Sequence, residues 1–456
     1  MMRKLVSILC VVLIMATTVV AQTTTSGPVK LVTPQRPAGQ KDVIELRCEP
    51  IKNVRVAVIG LGNRGIGAVY RLGFVEGATI AAICDVQPKY VERARNYIAK
   101  SKKPVKADEY TGAEDWKKIC ERDDIDLVYV CTHWDLHTPI ALYAMEHGKH
   151  VALEVPAALT LDDCWNLVNT AERTRRHCMM LENCNYDFFE LTTLNMAQKG
   201  MFGEIVHAEG AYIHDLRGEI FAPNAYWNNW RLDHNTKETG NLYPTHGLGP
   251  IAHVMNIHRG DRMNRLATFS SNQFGMTAFA KEKFGADSPQ AKVDYKHGDI
   301  NTTLISTIKG KTIMIQHDVT SPRPYSRGFL VSGTKGIAQK YPDEKFAFDP
   351  NAHGFLGKQE MDSIMKIYEH PISKEVGEQA KKVGGHGGMD FIMDYRLIYC
   401  LNNGLPLDMD VYDGVEWSSL VPLSKLSLEN SNMPVEFPDF TRGAWDKVKT
   451  VTYFTK

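Results

Sequence analysis

The sequence predicts an α/β protein, in which an N-terminal Rossmann domain with a doubly wound parallel sheet precedes a C-terminal α/β domain with a largely antiparallel, open-faced sheet. Apolar strand patterns and amphipathic helix patterns alternate from Val54 to Asn183, as expected for a parallel sheet covered by helices on both faces. A glycine-rich turn follows the first of these strands. After Gly203 the pattern changes to longer alternating segments, which indicate a sheet with one covered face.

The turn after the first strand, residues 54–59, reads Gly60-Leu-Gly62-Asn-Arg-Gly65. Its first glycine permits a tight turn, its second lets backbone amides approach a pyrophosphate, and its third lets the next helix pack on the strand. The start of that helix presents free N–H groups to phosphates. Twenty residues beyond Gly65 the second strand ends in Asp85, which can bind ribose hydroxyls and repels a 2′-phosphate. This arrangement predicts NAD as the cofactor.

The other elements of the first domain follow in order. The patterns predict a helix over 88–101, a helical segment over 114–122, a strand over 127–131, a helix over 139–147 and a strand over 150–153. Thr160 and Asp163 form a capping box that begins a helix ending near Arg176, and a strand over 178–181 comes next. We therefore expect the NAD-binding domain to span residues 51–184 and the substrate-binding domain to span 185–456.

Four longer segments predict the strands of the second sheet, at residues 204–214, 266–274, 302–309 and 312–319. The loops between them hold most of the histidines and polar aromatic residues. A substrate pocket built from these loops would lie opposite the carboxyl ends of the parallel strands, where α/β proteins bind their ligands.

The N-terminus has the pattern of a secretory signal peptide over residues 1–21. A charged start, Met1 to Lys4, is followed by an apolar stretch and then by the small residue Ala21. Residues 22–50 are expected to form a linker or N-terminal arm. Export across the inner membrane to the periplasm or cell surface is predicted, without a stable membrane span. The 53 basic and 53 acidic residues balance, and no basic block occurs, which disfavours nucleic acid as a partner.

Two segments at the carboxyl ends of predicted strands, Thr132 to His137 and Glu154 to Pro156, would overhang the nicotinamide half of the cofactor. Together with the glycine turn they resemble the glucose-fructose oxidoreductase and inositol dehydrogenase (Gfo/Idh/MocA-like) family. That family usually carries Glu-Lys-Pro in the second segment, and its lysine orients or deprotonates a sugar hydroxyl. Val155 stands in place of this lysine, which argues against simple dehydrogenase chemistry.

Further matches extend over the second domain and resemble glycoside hydrolase family 109. They are Met180 to Asn183, Tyr212 to Arg217, Trp230-Arg231, Asn241 to Pro250, Pro324-Tyr325 and Gly384 to Gly388. The resemblance implies an NAD-dependent α-N-acetylgalactosaminidase. No H-E-x-x-H or comparable ligand spacing occurs in the sequence, so no metal is expected. With the glycine turn, the implied cofactor residues are Gly60, Gly62, Asn63, Arg64, Gly65, Asp85, Trp134, Asp135, Leu136, His137, Glu154, Val155 and Asn183. The implied sugar-site residues are Tyr212, Arg231, Tyr243, Pro244, Thr245, His246 and Tyr325.

The resemblance also implies a reaction in which NAD oxidises C3 of the sugar, the aglycone is eliminated across C1 and C2, water adds, and the hydride returns. A recycled cofactor suits an exported enzyme. His246 is the expected group for the C3 hydroxyl proton, because imidazole titrates near neutral pH. Tyr325 is the expected base for the C2 proton, provided that Arg231 or the cofactor ring lowers its pKa. His214 and His386 are candidates for assisting the leaving group.

Other functions stay open at this point. A glycosidase with paired carboxylates would cleave the same bond but would leave the nucleotide motif unexplained. An exported NAD-dependent sugar oxidoreductase would accumulate reduced cofactor, and a non-catalytic sugar-binding protein would retain only the nucleotide fold. By analogy with the family, the exposed face of the second sheet is expected to form a homodimer.

Overall fold

The computed structural model describes residues 27–223 and 225–453, so the predicted signal peptide lies outside the described residues. Six parallel strands form the first sheet, in the order β3-β2-β1-β4-β5-β6. These strands are β1 (Val54–Ile59), β2 (Ala78–Cys84), β3 (Asp108–Tyr110), β4 (Leu127–Val130), β5 (His150–Leu153) and β6 (Cys178–Met180). The helices between them are α1 (Asn63–Leu72), α2 (Pro88–Ala99), α3 (Asp115–Cys120), α4 (His137–Glu146) and α5 (Leu161–Thr174).

This sheet confirms the predicted doubly wound Rossmann fold. Its strand order reverses between β1 and β4, and ligands bind at such a reversal, beyond the carboxyl ends of the strands. The predicted cap of α5 is present, because the Thr160 hydroxyl oxygen accepts a hydrogen bond from the Asp163 amide at 3.1 Å. The sequence pattern did not predict the short edge strand β3.

A second sheet of eight strands has the order β13-β12-β11-β7-β10-β9-β8-β14. It is largely antiparallel, as predicted, with one parallel pair, β7 with β10. The strands are β7 (Ile205–Ile213), β8 (Met263–Ser270), β9 (Asn301–Thr307), β10 (Thr312–Asp318), β11 (Leu330–Gly333), β12 (Gly336–Gln339), β13 (Lys345–Phe348) and β14 (Val435–Glu436).

The prediction of a strand through residue 274 is wrong. Strand β8 ends at Ser270, and the chain then turns into the helix α10. The amides of Phe274 and Gly275 donate to the buried Asp299 carboxylate at 2.7 and 3.0 Å, and this interaction holds the turn. Asp299 lies 25 residues from Phe274, so the alternating pattern could not reveal the contact.

The described residues of the second half form nine α-helices. They are α6 (Phe188–Gln198), α7 (Arg217–Phe221), α8 (Trp230–Lys237), α9 (Thr245–Val254), α10 (Gly275–Phe284), α11 (Lys358–Ile367), α12 (Pro371–Val383), α13 (Met389–Asn403) and α14 (Val411–Glu429). Helix α9 covers β7, α14 contacts both β8 and α5, and α13 returns to pack on α1 and β1. The last part of the chain therefore contributes to the surroundings of the parallel sheet.

The segment before the first strand lies against the folded protein as an arm without regular secondary structure. Val29 forms an isolated bridge with Val435, and the Arg36 guanidinium pairs with the buried Glu172 carboxylate at 3.1 Å. Within residues 27–223 and 225–453, no helix has the length and apolar character that a membrane crossing requires.

Candidate active site

The glycine turn after β1 has the geometry of a phosphate-binding loop. Gly60 has φ +86°, and a Cβ there would lie 2.5 Å from the Cys131 carbonyl oxygen. A Cβ on Gly65 would lie 1.8 Å from the Gly60 carbonyl oxygen, whereas one on Gly62 would meet no atom within 4 Å. Helix α1 begins beside this open space, and no side chain caps its N-terminus. The turn therefore fits the pyrophosphate of a dinucleotide.

Asp85, which directly follows β2, holds this turn in place. One carboxylate oxygen accepts a hydrogen bond from the Leu61 amide at 2.7 Å, and the other accepts from the Gln87 amide at 2.8 Å. The same side chain lines the cleft beside the turn. Its negative charge faces the place where a 2′-phosphate would lie, which favours NAD over NADP.

A cavity of about 460 Å³ opens above the turn and is large enough for much of a dinucleotide. It is lined by six of the predicted cofactor residues, namely Gly60, Gly62, Asn63, Arg64, Asp85 and Leu136. Tyr90 and Trp116 add aromatic surface from the nucleotide side, and Tyr226 and Trp227 do so from the second domain.

Two other predicted cofactor residues support the cleft from beneath. Gly65 allows the close packing of α1 described above. His137 is buried, and its ring nitrogens lie 2.8 and 3.1 Å from the carbonyl oxygens of Pro156 and Thr132. The imidazole therefore connects the loops that follow β4 and β5, and it does not line the cavity.

Arg64 joins the cleft to a buried charged network. Its guanidinium donates hydrogen bonds to the Glu154 carboxylate at 2.8 Å and to the Asp390 carboxylate at 3.1 Å. Asp390 also accepts a hydrogen bond from the Asn183 side-chain amide at 2.5 Å. The His386 ring nitrogen Nδ1 lies 2.9 Å from the same carboxylate. Burial raises the pKa of Asp390, but Arg64 and His386 lower it more, so the net pKa lies well below its usual range. Glu154 and Asn183 are thus connected to the cleft by hydrogen bonds. Glu154 binds Arg64 directly, and Asn183 binds Asp390, which in turn binds Arg64.

An aromatic layer connects the cofactor cleft to the second domain. The Trp134 ring stacks on Tyr243 with centroids 5.9 Å apart and meets Trp230 edge-on at 4.7 Å. Next to it, the Asp135 carboxylate lies 3.5 Å from Nε2 of His234. Val155 is buried and offers no polar group to either pocket.

Helix α9 approaches β7 so closely that both elements need a glycine at the crossing. A Cβ on Gly210 would lie 2.4 Å from the Gly247 carbonyl oxygen, and a Cβ on Gly247 would lie 2.3 Å from the Ala211 amide. Pro244 precedes the helix and the buried Thr245 is its first residue. This crossing places His246, in the first turn, beside the ring of Tyr212 at 5.6 Å.

Glu182 fixes the orientation of His246. Its carboxylate lies 2.7 Å from Nδ1 of the imidazole, and its side chain is fully buried. Burial raises the pKa of Glu182, but His246 lowers it more, and the net pKa is below the usual value. Because the ionised carboxylate accepts the Nδ1 proton, Nε2 is left to exchange a proton with substrate. Nε2 faces the Tyr243 hydroxyl at 3.5 Å.

The same region contains a potential metal-ligand group. Ligand atoms of Glu182, Cys184 and His246 lie within 4.8 Å of one another. The short Glu182–His246 hydrogen bond already engages one ligand atom of each residue. We therefore interpret the two residues as an acid–base pair.

The predicted sugar-site side chains surround His246. Tyr212 packs against Tyr243 with centroids 4.6 Å apart, and its hydroxyl lies 3.1 Å from Nδ1 of His214. The Tyr325 ring meets His214 edge-on at 5.1 Å and is 42% exposed. Phenol, imidazole and guanidinium groups thus form one cluster of side chains, next to the aromatic layer beside the cofactor cleft. Such a set can bind sugar hydroxyls and move protons.

The expectation that Arg231 lowers the pKa of Tyr325 is wrong. Burial raises the pKa of this phenol, and the cation beside it is Arg327. Arg231 instead donates to the Tyr226 hydroxyl at 3.3 Å and lies over the Tyr243 ring at 5.3 Å. It therefore shapes the boundary between the sugar pocket and the cofactor cleft.

Glu182 and Asp390 are two residues of the site that the sequence did not identify. Glu182 follows a strand of the parallel sheet just as Glu154 does, and this position is the signal that could have singled it out. Asp390 lies two residues beyond the glycine run and 207 residues from Asn183, and no local pattern links Asp390 to Asn183.

The fold and site together define a nucleotide-binding protein of the oxidoreductase type, with a cluster of tyrosine and histidine side chains beside its cofactor cleft. Solved structures of this class match over nearly their whole length. Levoglucosan dehydrogenase, in complex with NADH and levoglucosan, has a TM-score of 0.65 and 19% identity, covering 85% of this chain and 100% of that chain. An oxidoreductase domain protein from Kribbella flavida has a TM-score of 0.63, also at 19% identity, with the same coverage.

The family models identify both halves of the chain. The NAD-binding Rossmann fold of the oxidoreductase family matches residues 54–182, and the C-terminal domain of glycosyl hydrolase 109 matches residues 186–447. The first match confirms NAD as the cofactor.

Curated relatives agree with the second match. A "Glycosyl hydrolase family 109 protein 1" from Bacteroides fragilis is 54% identical over 93% of both chains. A protein of the same species named "Alpha-N-acetylgalactosaminidase" is 54% identical over 90% of this chain and 96% of its own length. The chain belongs to glycosyl hydrolase family 109 and is a glycoside hydrolase with an NAD-binding domain.

Proposed function

We propose that this glycosidase removes terminal α-N-acetylgalactosamine, or a related α-galactoside, by a cycle that uses and regenerates NAD. The observation that carries the proposal is the contact between the two pockets. Trp134 belongs to the cofactor side and Tyr243 to the sugar side, and their rings stack at 5.9 Å. His246 packs on Tyr243 at 5.0 Å. A sugar beside His246 would therefore lie next to the cofactor cleft. The relative named as an α-N-acetylgalactosaminidase supports the substrate class.

NAD, when bound, supplies reversible hydride transfer at C3 of the sugar. The side chains of this protein accept and return the protons. Nε2 of His246 accepts the proton of the C3 hydroxyl while Glu182 stabilises the resulting imidazolium. The same proton returns to the C3 oxygen at the end of the cycle. Between these events C2 loses its proton as the aglycone leaves C1 and takes up a proton, and water then adds its oxygen to C1 while a proton returns to C2.

Tyr325 is the proposed base for the C2 proton. Its side chain is partly exposed, and its ring lies against His214 at the edge of the side-chain cluster. Because burial raises its pKa, the phenolate requires positive charge nearby, and Arg327 supplies part of it. His214 and His386 are proposed to assist the leaving group.

The deciding experiment is hydrolysis of p-nitrophenyl α-N-acetylgalactosaminide in deuterated water. We expect release of nitrophenol together with deuterium at C2 of the sugar, because elimination breaks the C2–H bond. Displacement by paired carboxylates would release nitrophenol without the label. The Tyr325→Phe variant should lose both signals, and a protein stripped of nicotinamide should regain both when NAD is added. Full hydrolysis by the stripped protein would disprove the proposal.

We also propose that the protein is exported to the periplasm or cell surface after cleavage behind Ala21. The charged, apolar and small-residue segments of the N-terminus support this location. The N-terminal sequence of the protein recovered from the periplasm or the cell surface should begin at Gln22. An uncleaved protein in the cytoplasm would contradict export.

A homodimer is proposed through the outer face of the second sheet. Phe269 is 60% exposed and Leu304 is 54% exposed there. Ala267 pairs with Leu304, so Phe269, two residues along β8, lies on the same face. Light scattering of the unmodified protein should give twice the monomer mass. The Phe269→Asp substitution should lower the measured mass towards that of the monomer. A monomeric unmodified protein would refute this assembly.

A further inference from the structure

The second domain provides one wall of the cofactor cleft. Tyr226, Trp227 and Trp230 line the same cavity as Gly62 and Asp85. The three aromatic residues come from the chain around the start of α8, whereas Gly62 and Asp85 lie in the loops that follow β1 and β2 of the parallel sheet. A cofactor in this cleft is therefore enclosed between two parts of the chain.

A tight reversal of the backbone gives the wall its shape. Asn228 and Asn229 have φ of 50° and 52°, in the left-handed region that asparagine tolerates better than most residues. The Asn229 amide donates to the Tyr226 carbonyl oxygen at 2.9 Å and closes the turn. Trp227 lies within this turn and is 45% exposed although it lines the cavity.

The start of α8 anchors the wall to the nucleotide side. Trp230 meets the Trp134 ring at 4.7 Å, and the Arg231 guanidinium lies 5.4 Å from the centroid of the same ring. One turn later, His234 faces Asp135 at 3.5 Å. Trp227 lies just before this anchor. Its indole is available to a planar ligand ring, and aromatic side chains stack well on nucleotide bases.

We propose that Trp227 is a cofactor-retaining residue, whose indole covers the bound NAD and slows its dissociation, with Tyr226 and Trp230 supporting it. This inference rests on the proposed function, in which the cofactor is regenerated at every turnover. Such a cycle needs no exchange of nucleotide with solvent. Slow dissociation then keeps the exported enzyme active where free NAD is scarce.

The test measures exchange of NAD and does not depend on turnover. Purified holoenzyme is incubated with isotopically labelled NAD and desalted, and the nucleotide released on denaturation is quantified by mass spectrometry. For Trp227→Ala we expect exchange about ten-fold faster than in the unmodified protein, because changes at a binding surface act mainly on dissociation. Trp227→Phe keeps a stacking ring and should exchange slowly. The matched control is Phe355→Ala, which removes an equally exposed aromatic ring, 46%, outside the cavity.

Unchanged exchange in Trp227→Ala would overturn the inference, and so would equally fast exchange in the alanine and phenylalanine variants. The deuterium assay on the same preparations separates this result from failure of the proposed function. If the holoenzyme labels C2 but the unmodified protein and Trp227→Ala exchange NAD at the same rate, only the role of Trp227 is refuted. A nucleotide-free protein that cleaves the glycoside without label would refute the NAD cycle itself.

Discussion

Replacing Glu182 by glutamine tests the central acid–base pair with the smallest change of shape. The amide oxygen can still accept the Nδ1 proton of His246, but the negative charge is lost. The side chain is fully buried and lies 2.7 Å from the ring, so solvent does not screen the interaction. Hydrogen bonds to charged groups contribute about 1.5–3 kcal/mol. When His246 takes the sugar proton, loss of this stabilisation should slow the step about 10- to 150-fold.

The assay is the steady-state hydrolysis of the nitrophenyl glycoside with saturating NAD. We expect the Glu182→Gln substitution to lower kcat and to change KM much less, because the charge of Glu182 matters most once His246 is protonated. The control is Glu209→Gln, a half-buried glutamate on β7 that pairs with His207, which should hydrolyse the substrate at the unmodified rate.

A double-mutant cycle with His246→Ala provides the refutation. If Glu182 acts through His246, adding Glu182→Gln to His246→Ala should cause almost no further loss of kcat. A second full loss in the double variant would mean that Glu182 acts on substrate by another route. Full activity of Glu182→Gln alone would show that the charge is not used.

Three further predictions concern the cofactor and the core. Gly62→Ala should leave the thermal unfolding midpoint unchanged, since its Cβ would meet nothing within 4 Å, but it should weaken NAD binding measured by calorimetry. Gly65→Ala should lower the thermal unfolding midpoint, because its Cβ would lie 1.8 Å from a carbonyl oxygen. Asp85→Ala should reduce the preference for NAD over NADP about ten-fold in competition titrations, a difference of about 1.4 kcal/mol. Burial lowers the pKa of His150 from 6.5 to about 4. Between these values the unfolded chain binds a proton that the folded protein does not, so this residue should reduce the free energy of unfolding by about 1.4 kcal/mol per pH unit as the pH falls. In urea titrations, the free energy of unfolding of the His150→Gln variant should depend less steeply on pH than that of the unmodified protein. The control variant His353→Gln, at an exposed histidine, should keep the unmodified pH dependence.

The nucleotide-binding half could be predicted because its signals are local. The turn from Gly60 to Gly65 and the acidic residue at the end of β2 lie within one βαβ unit, where spacing along the chain fixes spacing in space. The cap at Thr160 is likewise formed by residues three positions apart. Such features depend little on distant parts of the chain.

The parts that escaped prediction depend on contacts between distant residues. Asp390 reaches the cleft because α13 returns to pack on α1, after more than half of the chain has intervened. Trp227 reaches it through a turn of two left-handed asparagines, and no hydrophobic period marks that turn. The order of a sequence does not specify which helix will return to which sheet, so these residues could be found only in the folded protein.

The position of His246 explains how the site can work with Val155 where the Gfo/Idh/MocA-like family usually carries a lysine. A lysine at that position would bring a cation from the nucleotide domain to the sugar hydroxyl, but the Val155 side chain is buried and apolar. The group proposed to transfer the proton is instead His246, which the crossing of α9 over β7 places against Glu182. A lysine ammonium has no lone pair, so it could only stabilise the deprotonated hydroxyl, whereas the carboxylate-paired imidazole can accept the proton itself. With only the imidazole present, one group can take the C3 proton, keep it while the aglycone leaves, and return it to the same oxygen. The loss of the lysine is therefore compatible with a cycle that restores its own cofactor, and it does not by itself indicate loss of catalysis.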